Sequence, residues 1–144
     1  MKARSFLNRL DHDRVLAAIR AAEQRSRGEI RVHVAGKSVD DPQRAAAALF
    51  EKLGMTATAE RNGVLIFVAP ASQRFAVVGD KGIHEKCGAG FWQDVASAME
   101  EDFRAGRFTD GIVKGVTRAG DALAAHFPRT GPDVNELSDD VSED

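Results

Sequence analysis

The chain has 144 residues, 43% hydrophobic and 29% charged, with 13 Gly, 4 Pro and a single Cys. That is the length of one domain of about 100–150 residues, and the composition excludes collagen-like, low-complexity and wholly disordered classes. The formal net charge of −2 conceals an asymmetry: residues 129–144 carry one Arg against six acids, whereas residues 1–128 carry 19 basic and 16 acidic groups. In the body of the chain Lys and Arg are scattered among acids, unlike the dense basic face of a phosphate-backbone reader, so no nucleic-acid partner is expected. One thiol, Cys87, can form neither an intramolecular disulfide nor a cysteine-based zinc site, and a reducing compartment fits best.

The opening MKARSFLNRL has no apolar core of signal-peptide length, and no window approaches the roughly 20 apolar residues of a membrane span. The expectation is a cytoplasmic protein without membrane insertion. The tail RTGPDVNELSDDVSED is acidic and poor in apolar residues, so residues 1–128 read as one folded domain and 129–144 as an unstructured acidic tail.

In chain order, Asp11 or Asp13 caps a helix whose apolar positions Val15, Leu16, Ile19 and Ala22 recur at three- and four-residue spacing, ending near Gly28. Its outer face carries Arg14, Arg20, Arg25 and Arg27, read chiefly as a solvated face. The segment GEIRVHVAG alternates Ile30, Val32 and Val34 with Glu29, Arg31 and His33, the period of a half-buried strand. Asp41-Pro42 then supplies an N-cap and a proline at the first helical position, and Gly54 ends the Ala-rich helix that follows. NGVLIFVA is continuously apolar, as in a strand covered on both faces, and after the short PASQ the stretch RFAVVGD returns as an antiparallel partner. Two helices complete the domain. One runs from about Ala89 to Ala105 with Phe91, Trp92, Val95, Met99 and Phe103 on its core face, and one is capped by Thr109 or Asp110 and ends at Pro128.

The order α-β-α-β-β-α-α makes strands one and two parallel and strands two and three antiparallel. One end of the sheet therefore gathers Glu29, Asn62 and Asp80. Carboxylate, amide and carbonyl oxygens suit a hard divalent cation, calcium or magnesium, although turns at Asp80 and Asn62-Gly63 and an edge cap at Glu29 account for these residues without an ion. At the same end GDKGIHEK opens a helix, so Lys81, Arg61, Gly82 and His84 form a weaker candidate set for a phosphate or other anion. Gly79 and Gly82 would permit a tight turn. No P-loop, dinucleotide fingerprint or serine-hydrolase elbow is present, and no catalytic residue is assigned. Cys87 lacks a partner histidine signature and reads as a small core residue. His12, His33 and His126 lie on separate elements with no metal-ligand spacing. Asp110 falls at the opposite end of the sheet.

The stretches ERNGVLIFVA, RFAVVGDKGIHEK and FRAGRFTDGIVKGV, in this order, resemble the TPM domain family, which includes bacterial proteins and a thylakoid-lumen protein linked to photosystem II repair. The resemblance covers roughly residues 11–127. It implies an α/β fold, a three-layer α/β/α sandwich with a small mixed sheet, and divalent-cation binding and acid-phosphatase activity attributed to some members. The chain departs from the commoner pattern in lacking a signal sequence, a membrane span and an Asp-rich motif before the first helix, and in placing His84 where an acidic residue is usual. These departures weaken transfer of phosphatase activity more than transfer of fold. Two functional expectations follow. The first is a soluble TPM-like domain that binds a divalent cation at Glu29, Asn62 and Asp80, with metal-assisted phosphatase chemistry by resemblance only. The second is a non-enzymatic interaction or accessory module for a membrane-associated protein partner, contacted through the basic N-terminal helix and the acidic tail.

Overall fold

A computed structural model describes residues 1–129 and 142–143. The chain folds as α1 (Ala3–Asn8), α2 (His12–Arg25), β1 (Glu29–Val34), α3 (Pro42–Lys52), β2 (Gly63–Ala69), β3 (Arg74–Gly79), α4 (Lys81–Cys87), α5 (Ala89–Arg104), α6 (Phe108–His126) and β4 (Ser142–Glu143). This is an α/β fold around a small mixed sheet of spatial order β3-β2-β1-β4. β1 and β2 are parallel, with Glu29 opposite Gly63, and β2 and β3 are antiparallel, with Val64 opposite Gly79. Relative to the sequence reading, α1, α4 and β4 are additional elements. The acidic tail lies outside the described residues except for Arg129 and residues 142–143, the backbone of the latter pairing in parallel with His33 and Val34.

The local signals explain most of the boundaries. The Asp11 carboxylate accepts from the Arg14 N–H and the Asp41 carboxylate from the Arg44 N–H, each satisfying an otherwise unpaired amide of a first helical turn. Thr109 and Asp110 do not cap α6, which begins one residue earlier at Phe108. The Thr109 hydroxyl instead accepts from the Asp11 N–H, and Asp110 pairs with Arg14 at 3.0 Å, tying the start of α6 to α2.

Every residue of β2 is buried, and its side chains alternate between two separate cores. Val64, Ile66 and Val68 face a large cluster built with Val15 and Ile19 of α2, Met99 of α5 and Leu123 of α6. Leu65 and Phe67 face a smaller one with Ala46 and Phe50 of α3. α6 packs against both α2 and α5, and α3 lies against β2 and β3. β1 differs from its half-buried expectation. Glu29 and His33 on its polar side are buried as well, His33 stacked on Phe67 with ring centroids 6.0 Å apart, because the α3 side of the sheet is covered. Val15, Ile19 and Ala22 of the apolar stripe of α2 are buried and Leu16 is half-buried, and Arg25 pairs with Asp121 of α6 at 2.9 Å, so this helix docks on its own domain. No described helix is long and apolar enough to cross a membrane.

Candidate functional site

The polar end of the sheet is built by three consecutive residues, Glu60, Arg61 and Asn62, of which the outer two engage Arg27 and the middle one engages Asp80. Glu60 takes a two-pronged ion pair from Arg27 at 2.8 and 2.9 Å. Arg61 donates Nε to Asp80 Oδ2 at 2.7 Å and Nη2 to Asp80 Oδ1 at 2.9 Å. Asn62 donates its Nδ2 to the Arg27 carbonyl at 3.2 Å. Arg27 also reaches the C-terminal end of the domain through its backbone N–H, bonded to the Phe127 carbonyl, and its Nη1, bonded to the Pro128 carbonyl. The lead-in to β1, the start of β2, the exit of β3 and the end of α6 are thus laced together. Bidentate guanidinium–carboxylate pairs suit this role because two parallel bonds fix orientation as well as distance.

The pairs also set protonation. Its hydrogen bond from Arg27 draws Glu60 below the ordinary carboxylate range, and the same bond raises Arg27. The hydrogen bonds to Asp80, then its charge, raise Arg61, with Glu51 adding to the effect. Burial pushes the Cys87 thiol up, which keeps the nucleophilic thiolate scarce.

Glu29, Asn62 and Asp80 are brought to one end of the sheet, as strand order and direction required. Gly63 stands opposite Glu29, and its carbonyl accepts from the Asp80 N–H at 2.8 Å. All three are buried, at 3%, 1% and 6% exposure. Their immediate partners differ. Asp80 is the N-cap of α4, and its Oδ1 also takes the Lys81 N–H at 2.7 Å. The Oδ1 of Asn62 is buried without a hydrogen-bond donor. Among the described residues no group of three or more His, Cys, Asp or Glu is arranged to hold a metal ion.

The residues of the anion set are distributed differently. The Lys81 amide and the Arg61 guanidinium hold the protein's own carboxylate, that of Asp80, and the Gly82 amide is bonded to the Arg61 carbonyl. Lys81 and His84 are exposed, and His84 lines a shallow cavity beside Trp92, Gln43 and Gln93 along β3. Neither Gly79 nor Gly82, read from the sequence as permitting a tight turn, has a positive φ. Gly82 is required by close approach: a Cβ there would lie 2.1 Å from the Glu60 carbonyl oxygen. Sequence reasoning missed the Arg27–Glu60 pair, because only the folded register places residue 27 beside residue 60.

A small mixed sheet with helices packed against it and a buried polar end closed by an Arg–Asp fork characterise this α/β domain. The TPM domain family matches residues 2–122, and the chain belongs to that family. Among solved structures, the BA42 protein from the psychrophilic bacterium Bizionia argentinensis is 37% identical, with a TM-score of 0.85 over 94% of this chain and 96% of that one. The N-terminal domain of a protein from P. gingivalis is 17% identical with a TM-score of 0.58, over 79% of this chain and 76% of that one, a likeness of fold alone. No curated protein matches the chain.

Proposed function

We propose that this TPM-domain protein binds a divalent cation, calcium or magnesium, at the polar end of its sheet, with Glu29, Asn62 and Asp80 as the oxygen donors. The observation that carries this reading is Asn62 Oδ1: a buried amide oxygen with no donor, on a residue 1% exposed, at the same end of the sheet as two buried acidic residues. Its orientation is held by the Nδ2 bond to the Arg27 carbonyl, because a flipped amide would set oxygen against oxygen. A buried acceptor without a donor costs about 1–3 kcal/mol, and a cation relieves that cost. The donor set is chemically suited to a hard ion, which takes carboxylate and amide oxygens.

With two carboxylates instead of the three or four of tight sites, the affinity expected is that of weak calcium sites, about 10⁻⁴–10⁻³ M. A bound cation would supply counter-charge to the carboxylates and Lewis acidity toward a phosphoryl oxygen, which is the basis for testing phosphatase activity. Arg61 and Lys81 would then offset phosphate charge, and His84 stands on the adjacent helix α4. The test is thermal unfolding of chelator-treated protein titrated with calcium, magnesium, manganese and zinc to several millimolar. A saturable rise in Tm, lost in Asp80→Asn, supports the site, because a ligand that binds only the folded state stabilises it as its concentration passes Kd. No rise with any ion refutes it.

The second reading, an interaction or accessory module, is favoured by a cavity of about 520 Å³ at the opposite end of the sheet, lined by Phe6, Phe75, Phe103 and Phe108. Under this reading a protein partner, membrane-associated or not, is engaged with no dependence on added cation, so the same titration separates the two.

A further inference from the structure

We infer that Arg61 is an internal counter-cation that competes with a divalent ion for Asp80, so that cation binding and the Arg61–Asp80 pair exclude one another. The inference rests on the cation reading above and adds to it a built-in competitor. Both oxygens of Asp80 are engaged by the guanidinium, at 2.7 and 2.9 Å, and Oδ1 carries the Lys81 amide as well. Two donors saturate the lone pairs of Oδ1, leaving one acceptor direction on Oδ2, so a cation cannot take this carboxylate in full while the fork is in place. The guanidinium charge, within hydrogen-bond distance, also opposes a second positive charge at the same oxygens.

The fork is built to release. Its acceptor is buried and fixed as the cap of α4, but the Arg61 side chain is 45% exposed and stands on a turn in the left-handed conformation, φ 53°. Water is therefore available to the guanidinium when it swings out. Pairs with one partner this exposed contribute little net stability, whereas a divalent ion brings twice the charge to the same oxygens. Departure of Arg61 leaves two partners in place that keep the site assembled. The Lys81 amide still orients Asp80, and the Arg27 carbonyl still holds the Asn62 amide with its oxygen unfilled.

The experiment is isothermal titration calorimetry of calcium and magnesium chloride into the full chain, wild type, Arg61→Gln, Arg61→Lys and Asp80→Asn, at constant ionic strength set with potassium chloride. Far-UV circular dichroism establishes that each variant is folded. The competition predicts that Arg61→Gln tightens cation binding about fivefold, the upper end of what an exposed pair is worth, that Arg61→Lys falls between it and wild type, and that Asp80→Asn abolishes the heat. Equal affinity in wild type and Arg61→Gln overturns the competition while leaving the cation reading intact. Weaker binding in Arg61→Gln also overturns it, because Arg61 would then support the site. Absence of binding in both wild type and Arg61→Gln overturns the cation reading itself.

Discussion

Gly82→Ala tests whether the polar end depends on contact between two stretches of backbone. The added Cβ would lie 2.1 Å from the Glu60 carbonyl oxygen and 2.7 Å from that of Arg61, inside the 3.0 Å that real Cβ contacts essentially never breach. Both neighbours are main chain, so no side chain can rotate away, and the turn carrying Arg61 must retreat from α4 by roughly 1 Å, a form of overpacking that costs about 1–3 kcal/mol. The retreat stretches the 2.7 Å bond from the Gly82 N–H to the Arg61 carbonyl, worth about 0.5–1.5 kcal/mol. Against this stands the helix propensity of Ala over Gly, up to about 1 kcal/mol. With both clashes on backbone the net loss is about 2–3 kcal/mol, a large part of the 5–15 kcal/mol typical of a domain. Urea unfolding would show it as a midpoint lowered by about 1–2 M for a slope near 1.5–2 kcal/mol/M. Gly90→Ala is the control: that position lies in α5 with nothing within 4 Å of a new Cβ, so stability there should hold or rise by up to about 1 kcal/mol. A Gly82→Ala midpoint equal to wild type would refute the argument that this glycine exists for close approach.

Three further outcomes follow from the same packing and charge arrangement. Leu123, fully buried on α6 and packed over Gly28, should cost about 2–5 kcal/mol when truncated to Ala, read by the same unfolding curve. Asp102, buried at the end of α5, is held below the ordinary carboxylate range by its hydrogen bond to Lys114 and then by Arg107, at 2.9 and 3.0 Å. Its folded pKa lies below its unfolded one, so its contribution is complete above about pH 4 and lost as pH falls through the folded value; Asp102→Asn should lower Tm at pH 7, with the gap to wild type closing below pH 4. Cys87, whose thiol burial pushes up, should react with iodoacetamide more slowly than free cysteine at pH 7.5, and a rate equal to that of free cysteine would contradict its half-buried placement.

The sequence patterns that carried the fold were those in which one residue type has one cheap conformation. Asp41-Pro42 fixed the start of α3, and the unbroken apolar run of β2 announced a strand with no wet face. Alternation misled at β1, because Glu29 and His33 are polar yet buried; periodicity reports polarity, whereas burial depends on what covers the second face, here α3 and the ring of Phe67. Thr109 and Asp110 looked like caps because their side chains satisfy helix amides elsewhere, but here α2 takes them in competition with their own helix. The short helix α4 was missed for a related reason: seven residues containing Gly and His carry little periodic signal, and it forms because Asp80 caps it and Arg61 holds Asp80.

The position of Arg61 shows where reading a site from sequence stops. Strand direction brings residues 29, 62 and 80 to one end of the sheet, since parallel and antiparallel pairing admit only one arrangement of their ends. Nothing in the spacing tells which oxygen a neighbouring guanidinium will claim. That depends on a left-handed turn at residue 61 and on a glycine that lets the turn lie against α4. The turn positions Arg61 over the carboxylate, while its side chain, 45% exposed, stands within reach of water. An oxygen cluster closed by a lysine would be screened by a single mobile charge, whereas a guanidinium covers both carboxylate oxygens at once. Arg61→Lys therefore keeps the charge and removes the two-pronged cover, and an affinity between those of wild type and Arg61→Gln would assign the competition to both charge and geometry. Affinity equal to wild type would assign it to charge alone.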